Sequence, residues 1–293
     1  MDESQLKQIR RFNRLVTQRV GALEANYLRR GRPLAEARLI FEIGADGVDL
    51  RTLRVRLGLD SGYLSRLVQS LKAQALIAIV KGSGDGRRRR VSLTRKGIAE
   101  RAAYDRLSDR LAASMLETLD EAERGRLTEA MGEVERLIRA ASVEVAPEPP
   151  DSADARLCLD AYFGELAARF EGGFDAGKDD SARADDMTPP SGLFVIARLD
   201  GDAMGCGGLK RGNKATGEIK RVWTAPSARG MGVARRVLRA LEAAARDMGL
   251  RTLRLGTNRA LTEAHMLYRK EGFREIARYN DNPYEHHWFE KRL

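Results

Sequence analysis

The sequence has few cysteines and no long apolar run, and each absence excludes a class of protein. Only Cys158 and Cys206 occur among the 293 residues, so there is no disulfide framework, and their spacing matches no zinc pattern. We therefore expect no metal site. No apolar run approaches the ~18 residues that span a bilayer, and the opening MDESQLKQIRR has no apolar signal core. These features predict a cytoplasmic protein that does not enter a membrane.

Negative charge is also scarce in one part of the chain. The formal net charge is +10, and residues 1–143 carry +9 of it. Residues 51–100 alone hold 12 basic and 3 acidic residues. Concentrated positive charge is typical of a surface that binds a polyanion, although a solvated basic face is equally compatible with charge alone.

A proline-rich segment divides the chain. Residues 144–155, EVAPEPPDSADA, contain three prolines and several acids, which is typical of a semi-rigid linker. We therefore expect one domain over residues 1–143 and another over 156–293. Long amphipathic helices are predicted over residues 4–29, 95–117 and 120–142. They bury their apolar faces either in a homodimer, which we favour, or against each other within one chain.

The basic segment contains a predicted helix-turn-helix. Residues 49–57 form a short helix, Gly58 permits a turn, and Asp60 or Ser61 caps a second helix over residues 61–74. Apolar residues occupy one face of that second helix. The other face presents polar and basic groups to base edges and phosphates. These candidate DNA-binding residues are Ser61, Tyr63, Ser65, Arg66 and Gln69.

A basic β-wing is predicted to follow. Two β-favouring runs, residues 77–81 and 88–93, are separated by GSGDG. At its tip stand four further DNA-binding candidates, Arg87, Arg88, Arg89 and Arg90. On a free edge strand they must be solvated, or in a complex they contact phosphates or enter a minor groove.

These residues resemble the winged helix-turn-helix of the MarR family of bacterial regulators over roughly residues 4–142. The matching pieces are LGLDSGYLSRLVQSL (57–71), Asp85-Gly86-Arg87 in the wing, and LTRKG (93–97). Ala75 departs from the pattern, because a glycine is common there. The resemblance implies an α-rich domain with a small β-wing and a homodimer on double-stranded DNA. It also implies that Asp85 pairs with an arginine to hold the wing.

The second half of the chain carries a Gly-rich turn between a predicted strand and helix. Residues 217–249 include Arg-Gly-Met-Gly-Val-Ala, where small residues allow backbone to approach a ligand. The amides at a helix start can hold a pyrophosphate. Absence of Lys-Ser/Thr after the glycines excludes a Walker A loop, and the spacing is not that of a dinucleotide fingerprint.

This segment resembles the GNAT acetyltransferase superfamily, and the likeness covers about residues 156–293. Arg-x-x-Gly-x-Ala at 229–234 fits the pyrophosphate-binding turn, and TNRALTEAHMLYRKEGFRE (257–275) is a second matching piece. The resemblance implies an α/β domain with a mixed central sheet and acetyl-CoA between two splayed parallel strands. The residues implied to contact acetyl-CoA are Val222, Trp223, Thr224, Arg229, Gly230, Met231, Gly232, Val233, Ala234, Arg235, Asn258 and Ala264.

Two residues are candidates for catalysis. An amine with a pKa near 10.4 is about one part in a thousand neutral at pH 7, so a base is useful. Glu218 matches a position used as base in parts of the superfamily, and its alternative is a carboxylate paired with Lys220 or Arg221. Tyr268 matches the usual general acid, and its alternative is a core tyrosine.

The acceptor is predicted only as an amine of a small molecule or protein. The acidic stretch 172–192 is either a lid suited to a cationic amine or a plain loop. We also expect acceptor contacts from residues 279–288. The sequence thus predicts a regulator that binds DNA and acetylates an amine. The alternative is a DNA-binding sensor whose GNAT domain binds acetyl-CoA or a metabolite without turnover.

Overall fold

The computed structural model describes residues 2–81, 89–175, 183–212 and 215–293. The chain forms two compact units, Met1–Glu129 and Ala130–Leu293, and the division between them falls inside a helix. No helix in the described ranges is long and apolar enough to cross a membrane.

The first unit is mostly helical and carries a small sheet. Its elements are α1 (Glu3–Arg19), a 3₁₀ turn (Tyr27–Arg29), α2 (Leu34–Ile43), β1 (Val48–Asp49), α3 (Leu50–Leu57), α4 (Ser61–Ala73), β2 (Ile77–Lys81), β3 (Arg89–Leu93), α5 (Arg95–Leu116) and the beginning of α6 (Glu121–Ala141). The antiparallel strands lie in the order β1-β3-β2. The predicted winged helix-turn-helix is thereby confirmed.

Side-chain caps position the two helices of that motif. Asp49 accepts a hydrogen bond from the amide of Arg51 at 2.7 Å, and Asp60 accepts one from the amide of Tyr63 at 2.9 Å. Each cap satisfies an amide that the first helical turn leaves without a partner. Ala75, where family members often have glycine, has a φ of 57°, in the left-handed region that glycine occupies with less strain.

The first unit differs from the sequence prediction in three respects. Helix α2 was not predicted, yet it supplies the buried Leu39, Ile40 and Ile43 to the core. Helix α1 ends at Arg19 because Gly21 adopts a left-handed φ of 67°. Strand β3 is not a free edge, because β1 pairs along its other side.

The second unit is a mixed sheet with helices. Its elements are the end of α6, β4 (Glu144–Pro147), α7 (Ala153–Arg169), a 3₁₀ turn (Asp185–Met187), β5 (Gly192–Leu199), β6 (Asp202–Arg211), β7 (Thr216–Thr224), a second 3₁₀ turn (Pro226–Ala228), α8 (Val233–Asp247), β8 (Thr252–Thr257), α9 (Thr262–Lys270), β9 (Arg274–Ile276) and β10 (His287–Arg292). The strands lie in the order β4-β5-β6-β7-β8-β10-β9, with β7 and β8 parallel. This confirms the predicted mixed central sheet.

The proline-rich segment is part of this sheet instead of a free linker. Residues 144–147 pair antiparallel with β5, and α7 begins soon after, capped by Ser152. A proline is tolerated in an edge strand, where one side of the backbone has no ladder partner. Val145 packs against the core, so apolar contact outweighs the composition that indicated a linker.

The two parallel strands separate soon after they pair. Their registered pairs run only from Thr216 with Thr252 to Glu218 with Arg254. Arg221 then adopts a φ of 57°, and the register between β6 and β7 shifts opposite it. Such a bulge bends a strand away from its neighbour. The separation of the strands therefore begins within β7, at Arg221.

Candidate functional site

A cleft of about 410 Å³ lies along β7, past the point where β7 and β8 cease to pair. Walls come from β7, the turn before α8, and helices α7 and α9. Ten of the residues implied to contact acetyl-CoA line it, namely Val222, Trp223, Thr224, Arg229, Gly230, Gly232, Val233, Ala234, Arg235 and Ala264. A glycine-rich turn and strand ends thus meet in one cavity.

The turn before α8 leaves helix amides directed at this cleft. Gly230 and Gly232 have φ values of 80° and 74°, and Gly232 is the N-cap residue with no side chain to accept from the first turn. Amides at an uncapped helix start carry partial positive charge and attract anions. The hydroxyl of Thr224, buried in the cleft wall, has no hydrogen-bond partner within the described part of the chain.

Two of the residues implied to contact acetyl-CoA, Met231 and Asn258, do not line this cleft. The amide of Met231 donates to the carbonyl of Ala228 at 3.3 Å, and its side chain packs against the core. Asn258 accepts from the amide of Ala260 at 2.9 Å and donates to the carbonyl of Tyr284 at 2.8 Å. Both polar ends of Asn258 therefore hold backbone in place.

Arg229 is engaged by a carboxylate that sequence reasoning missed. Its guanidinium lies 2.6 Å from Glu165 of α7, which also accepts from the indole of Trp223 at 3.0 Å and from Arg169 at 3.0 Å. Burial opposes ionisation of Glu165, but these hydrogen bonds lower its pKa. No local motif marks Glu165, because Trp223 and Arg229 stand far from it in sequence.

Arg169 extends this network to the start of α9. It donates to the carbonyl of Ala260 at 2.7 Å and forms a two-pronged ion pair with Glu263, one arm at 3.0 Å. The hydrogen bond from Arg169 lowers the pKa of Glu263 to about 2. The pair fixes α7 against α9 at the edge of the cleft.

A narrower pocket of about 80 Å³ adjoins the cleft. Val222 and Tyr268 line both cavities, so they mark where the two meet. Tyr268 is 7% exposed, and burial, followed by the negative charge of Glu285, raises its pKa. A tyrosine in this position keeps its proton across the neutral range.

Glu218 lies beside this pocket and lines neither described cavity. Its carboxylate is 2.8 Å from the ammonium of Lys220 and accepts from the hydroxyl of Tyr279 at 2.7 Å. The pairing with Lys220 is the alternative that the sequence left open. The assignment of Glu218 as the base stays a prediction.

Glu285 is the carboxylate that lines the pocket. Its side chain is 8% exposed, and it accepts from Lys220 at 2.9 Å and from the amide of Asn280 at 2.8 Å. Burial works against the charge of Lys220, but Glu218 and Glu285 together raise its pKa. Glu285 falls in the 279–288 stretch, the one signal in the sequence that pointed to it.

The structure describes only part of the acidic stretch 172–192 that the sequence offers as a lid. Met187 is fully buried, and Asp186 pairs with Lys210 at 2.9 Å, so residues 183–192 are packed onto the unit. Residues 176–182 lie outside the described residues. Within the described part of the stretch, residues 183–192 therefore do not form a separate acidic lid over the narrow pocket.

In the first unit, a groove of about 380 Å³ lies between α3, α4 and the wing. Three of the predicted DNA-binding residues, Ser61, Ser65 and Gln69, line it together with Arg89 of β3. Its further basic residues, Arg51 and Arg54 of α3, were not identified from the sequence. Arg66 is exposed and lies 5.6 Å from the ring of the half-buried Tyr63.

The wing arginines divide into groups. Arg90 donates to the carbonyls of Asp46 and Gly47 at 2.6 and 3.1 Å, so it holds the turn before β1. Arg89 is exposed at the groove. Arg87, Arg88 and Asp85 lie outside the described residues.

The described residues include no cluster of three or more histidine, cysteine, aspartate or glutamate side chains arranged to hold a metal ion. The sites above are therefore built from backbone amides, arginines, a tyrosine and paired carboxylates.

Comparison with known proteins agrees with the folds of both units. Residues 159–273 match the model of the acetyltransferase (GNAT) family, and residues 30–88 match that of the MarR family. The chain belongs to the GNAT acetyltransferase family, with a MarR-type winged helix in its N-terminal half.

Individual relatives match the acetyltransferase part. An IAA acetyltransferase of Azospirillum brasilense is 34% identical over 116 residues, which are 39% of this chain and 71% of that protein. An uncharacterised N-acetyltransferase of Mycobacterium tuberculosis is 30% identical over 34% of this chain and 64% of its own length. A GNAT acetyltransferase of Elizabethkingia anophelis, solved with acetyl-CoA bound, is 17% identical with a TM-score of 0.37, covering 52% of this chain and 99% of that one.

Proposed function

We propose that this protein is an acetyl-CoA-dependent N-acetyltransferase that also binds double-stranded DNA. The observation that carries the enzymatic part is the cleft that β7 lines past the end of its pairing with β8, with the uncapped start of α8 in its wall. Family membership supports the same reaction.

The residues present fit acetyl-CoA. Gly230 and Gly232 take left-handed φ values, so the turn brings amides rather than side chains toward the cleft, where they suit a diphosphate. The orphaned hydroxyl of Thr224 offers a polar contact along the wall. Arg229 and Arg235 add positive charge, and Arg229 must then share its guanidinium between Glu165 and a phosphate. Bound acetyl-CoA supplies the acetyl thioester.

The chain's own residues then handle charge and protons. The backbone of Val222, at the junction of the two cavities, is placed to bind the oxygen that becomes negative when the amine attacks. Tyr268 holds a proton that it can give to the departing sulfur. Glu218 remains the base implied by family resemblance.

Release of free thiol from acetyl-CoA, assayed across amines and peptides, tests the enzyme. We expect turnover that disappears in Tyr268→Phe while acetyl-CoA binding persists. Acetyl-CoA binding without turnover above the Tyr268→Phe level would instead favour the sensor that acts without catalysis.

A second function is supported by the groove of the first unit. Arg51, Arg54 and Arg89 surround the polar face of α4, which suits phosphates on either side of a base-reading helix. MarR family membership supports DNA binding. We therefore include DNA in the proposal.

Binding of DNA from upstream of the protein's own gene, measured across a salt series, tests it. Arg54→Gln should weaken binding and reduce the slope of log K against log salt by about 1, as loss of one phosphate contact does. Arg110→Gln, an exposed change on α5 outside the groove, is the control. A slope that Arg54→Gln leaves unchanged would contradict the assignment of this groove.

Homodimerisation is part of the proposal. Helix α1, described in full, has no buried residue, and it exposes Leu6, Ile9 and Leu15. An exposed apolar stripe of this kind favours burial against a second copy. Sedimentation at several concentrations checks it, since a monomer at all of them would contradict it.

A further inference from the structure

The narrow pocket beside Tyr268 carries information about the acceptor that the family does not supply. Its lining comes from β7, β8, α7, α9 and the 282–285 segment. The inference below rests on the proposed acetyltransferase function. It concerns which carboxylate meets the amine and which kind of amine fits.

The carboxylate of Glu285 occupies the space that a side chain at position 256 of β8 would fill. A methyl group built on Gly256 would overlap the Glu285 carboxylate, so the carboxylate lies directly on the strand backbone. Lys220 and Asn280 each hold one of its oxygens, at 2.9 and 2.8 Å. The glycine at position 256 therefore makes room for Glu285, which lines the pocket together with Tyr268.

Glu218 is less well placed for the same task. It stands where β7 still pairs with β8, before the strands separate. Lys220 and Tyr279 converge on one of its oxygens, at 2.8 and 2.7 Å. The arrangement makes Glu218 a support for Lys220, which in turn positions Glu285.

An aromatic cluster contributes Phe170, Phe174 and Tyr284 to the wall of this pocket. Phe174 lies 4.7 Å from Tyr284, 5.7 Å from Phe163 and 5.9 Å from Phe170, measured between ring centroids. The hydroxyl of Tyr284 accepts from the amide of Asp175 at 3.1 Å, which ties the two segments of the wall together. Contact with such a wall favours an apolar or aromatic body on the acceptor.

The charges around the pocket favour a single amine over a polycation. Glu285 provides a negative group for an ammonium, but Lys220 and Arg221 also line the pocket. The guanidinium of Arg221 lies 5.2 Å from the ring of Phe163, at the aromatic wall. A second positive charge on the acceptor would be repelled there.

We propose that Glu285 accepts the proton of the acceptor amine, and that the acceptor is a primary amine with one positive charge on an aromatic or other apolar body. The ammonium passes one proton to Glu285, and the nitrogen lone pair forms a bond to the acetyl carbonyl carbon. The carbon–sulfur bond breaks, and the sulfur takes the proton of Tyr268. The second proton lost by nitrogen restores Tyr268, so one proton reaches solvent for each acetyl group transferred.

Glu285→Gln tests the proton acceptor, with phenylethylamine and its β,β-difluoro derivative as acceptors at pH 7. Fluorine lowers the amine pKa, so the derivative arrives largely neutral and needs little base. We expect kcat/KM to fall about 100-fold for phenylethylamine, as loss of a general base does, and less than about tenfold for the derivative. Glu290→Gln, on β10 and outside both cavities, is the matched control.

Equal losses for the two amines would give Glu285 only a structural role and overturn this part of the proposal. A larger, amine-dependent loss in Glu218→Gln than in Glu285→Gln would do the same. Gly256→Ala, which displaces the carboxylate without removing it, should reproduce the selective loss. Calorimetry should show that the wild type and every variant bind acetyl-CoA. If the wild type bound none, the proposed function itself would fail, and this result is distinct from the outcomes above.

The acceptor class is tested with phenylethylamine against 1,5-diaminopentane. We expect kcat/KM to favour phenylethylamine by about tenfold or more, because the wall contact is gained and the second charge avoided. Phe174→Ala should shrink that preference while leaving acetyl-CoA affinity unchanged. Preference for the diamine, or a preference indifferent to Phe174→Ala, would overturn the assignment.

Discussion

The two cavities that meet at Tyr268 are built in different ways. The backbone amides of the wide cleft come from one short segment, 229–235, and the end of the strand before it, while α7 and α9 complete its walls. The narrow pocket combines α7, two strands, α9 and the 282–285 segment. A backbone cradle is encoded locally, whereas an arrangement of charged and aromatic side chains depends on tertiary structure.

The difference bears on what each cavity can recognise. Amides and glycines bind a diphosphate whatever side chains surround them, so the cleft suits a shared coenzyme. The pocket contains Glu285, Lys220 and the aromatic wall, which discriminate by charge and shape. Changing one cavity should therefore alter one property at a time.

Tyr268→Phe should give the largest effect, because this side chain borders both cavities. We expect kcat to fall about 100-fold or more, as for loss of a general acid, with acetyl-CoA affinity unchanged. Burial and Glu285 raise the pKa of Tyr268, so wild-type activity should show no loss from its ionisation below about pH 10, the ordinary tyrosine value. Steady-state kinetics measure kcat and its pH dependence, and calorimetry measures the affinity for acetyl-CoA. A fall in affinity that accounts for the lost rate would contradict the separation of the two cavities.

Gly232→Val should affect the cleft alone. Its φ of 74° strains any side chain, and a branched one also obstructs the start of α8. We expect acetyl-CoA affinity to drop by about tenfold or more, roughly the 1.4 kcal/mol of one lost charged contact. Gly249→Val is the matched control, because Gly249 has the same φ of 74° with open space around it and lies beyond the other end of α8.

The two variants should lose similar thermal stability, and only Gly232→Val should lose affinity for acetyl-CoA. Equal loss of affinity in both would mean that the helix as a whole, and not its first turn, holds the coenzyme.

Glu263→Gln should give the smallest effect, which is present near neutral pH and vanishes in acid. Arg169 lowers the pKa of Glu263 from 4.5 to about 2, so the folded state is stabilised above pH 4.5 and loses that contribution as pH falls toward 2. Because the pair is half-exposed, we expect only a small fall in melting temperature at pH 7, and this difference from wild type should disappear toward pH 2. Thermal unfolding from pH 7 to 2 should show a shallower acid decline in the variant. A decline identical to that of wild type would contradict the coupling.

The sequence anticipated the cleft much better than the pocket. Hydrophobic periodicity and the cap at Asp60 determine α4, which was predicted to within a residue, and the helix predicted after the Gly-rich turn is α8. Arg229 was predicted as a phosphate ligand, but its partner Glu165 stands on α7 and becomes its neighbour only through the fold. Glu285 was predicted only as one member of the 279–288 stretch and was not singled out, since its placement depends on Gly256 of another segment. Strand β4 was mistaken for a linker because composition does not reveal a pairing partner.

Amide hydrogen exchange with and without acetyl-CoA tests the central claim most directly. If the first turn of α8 grips the diphosphate, the amides of residues 230–235 should exchange more slowly when acetyl-CoA is present, and those around Gly249 should not change. Protection that is absent from residues 230–235, or found only in other segments, would contradict the account of the cleft.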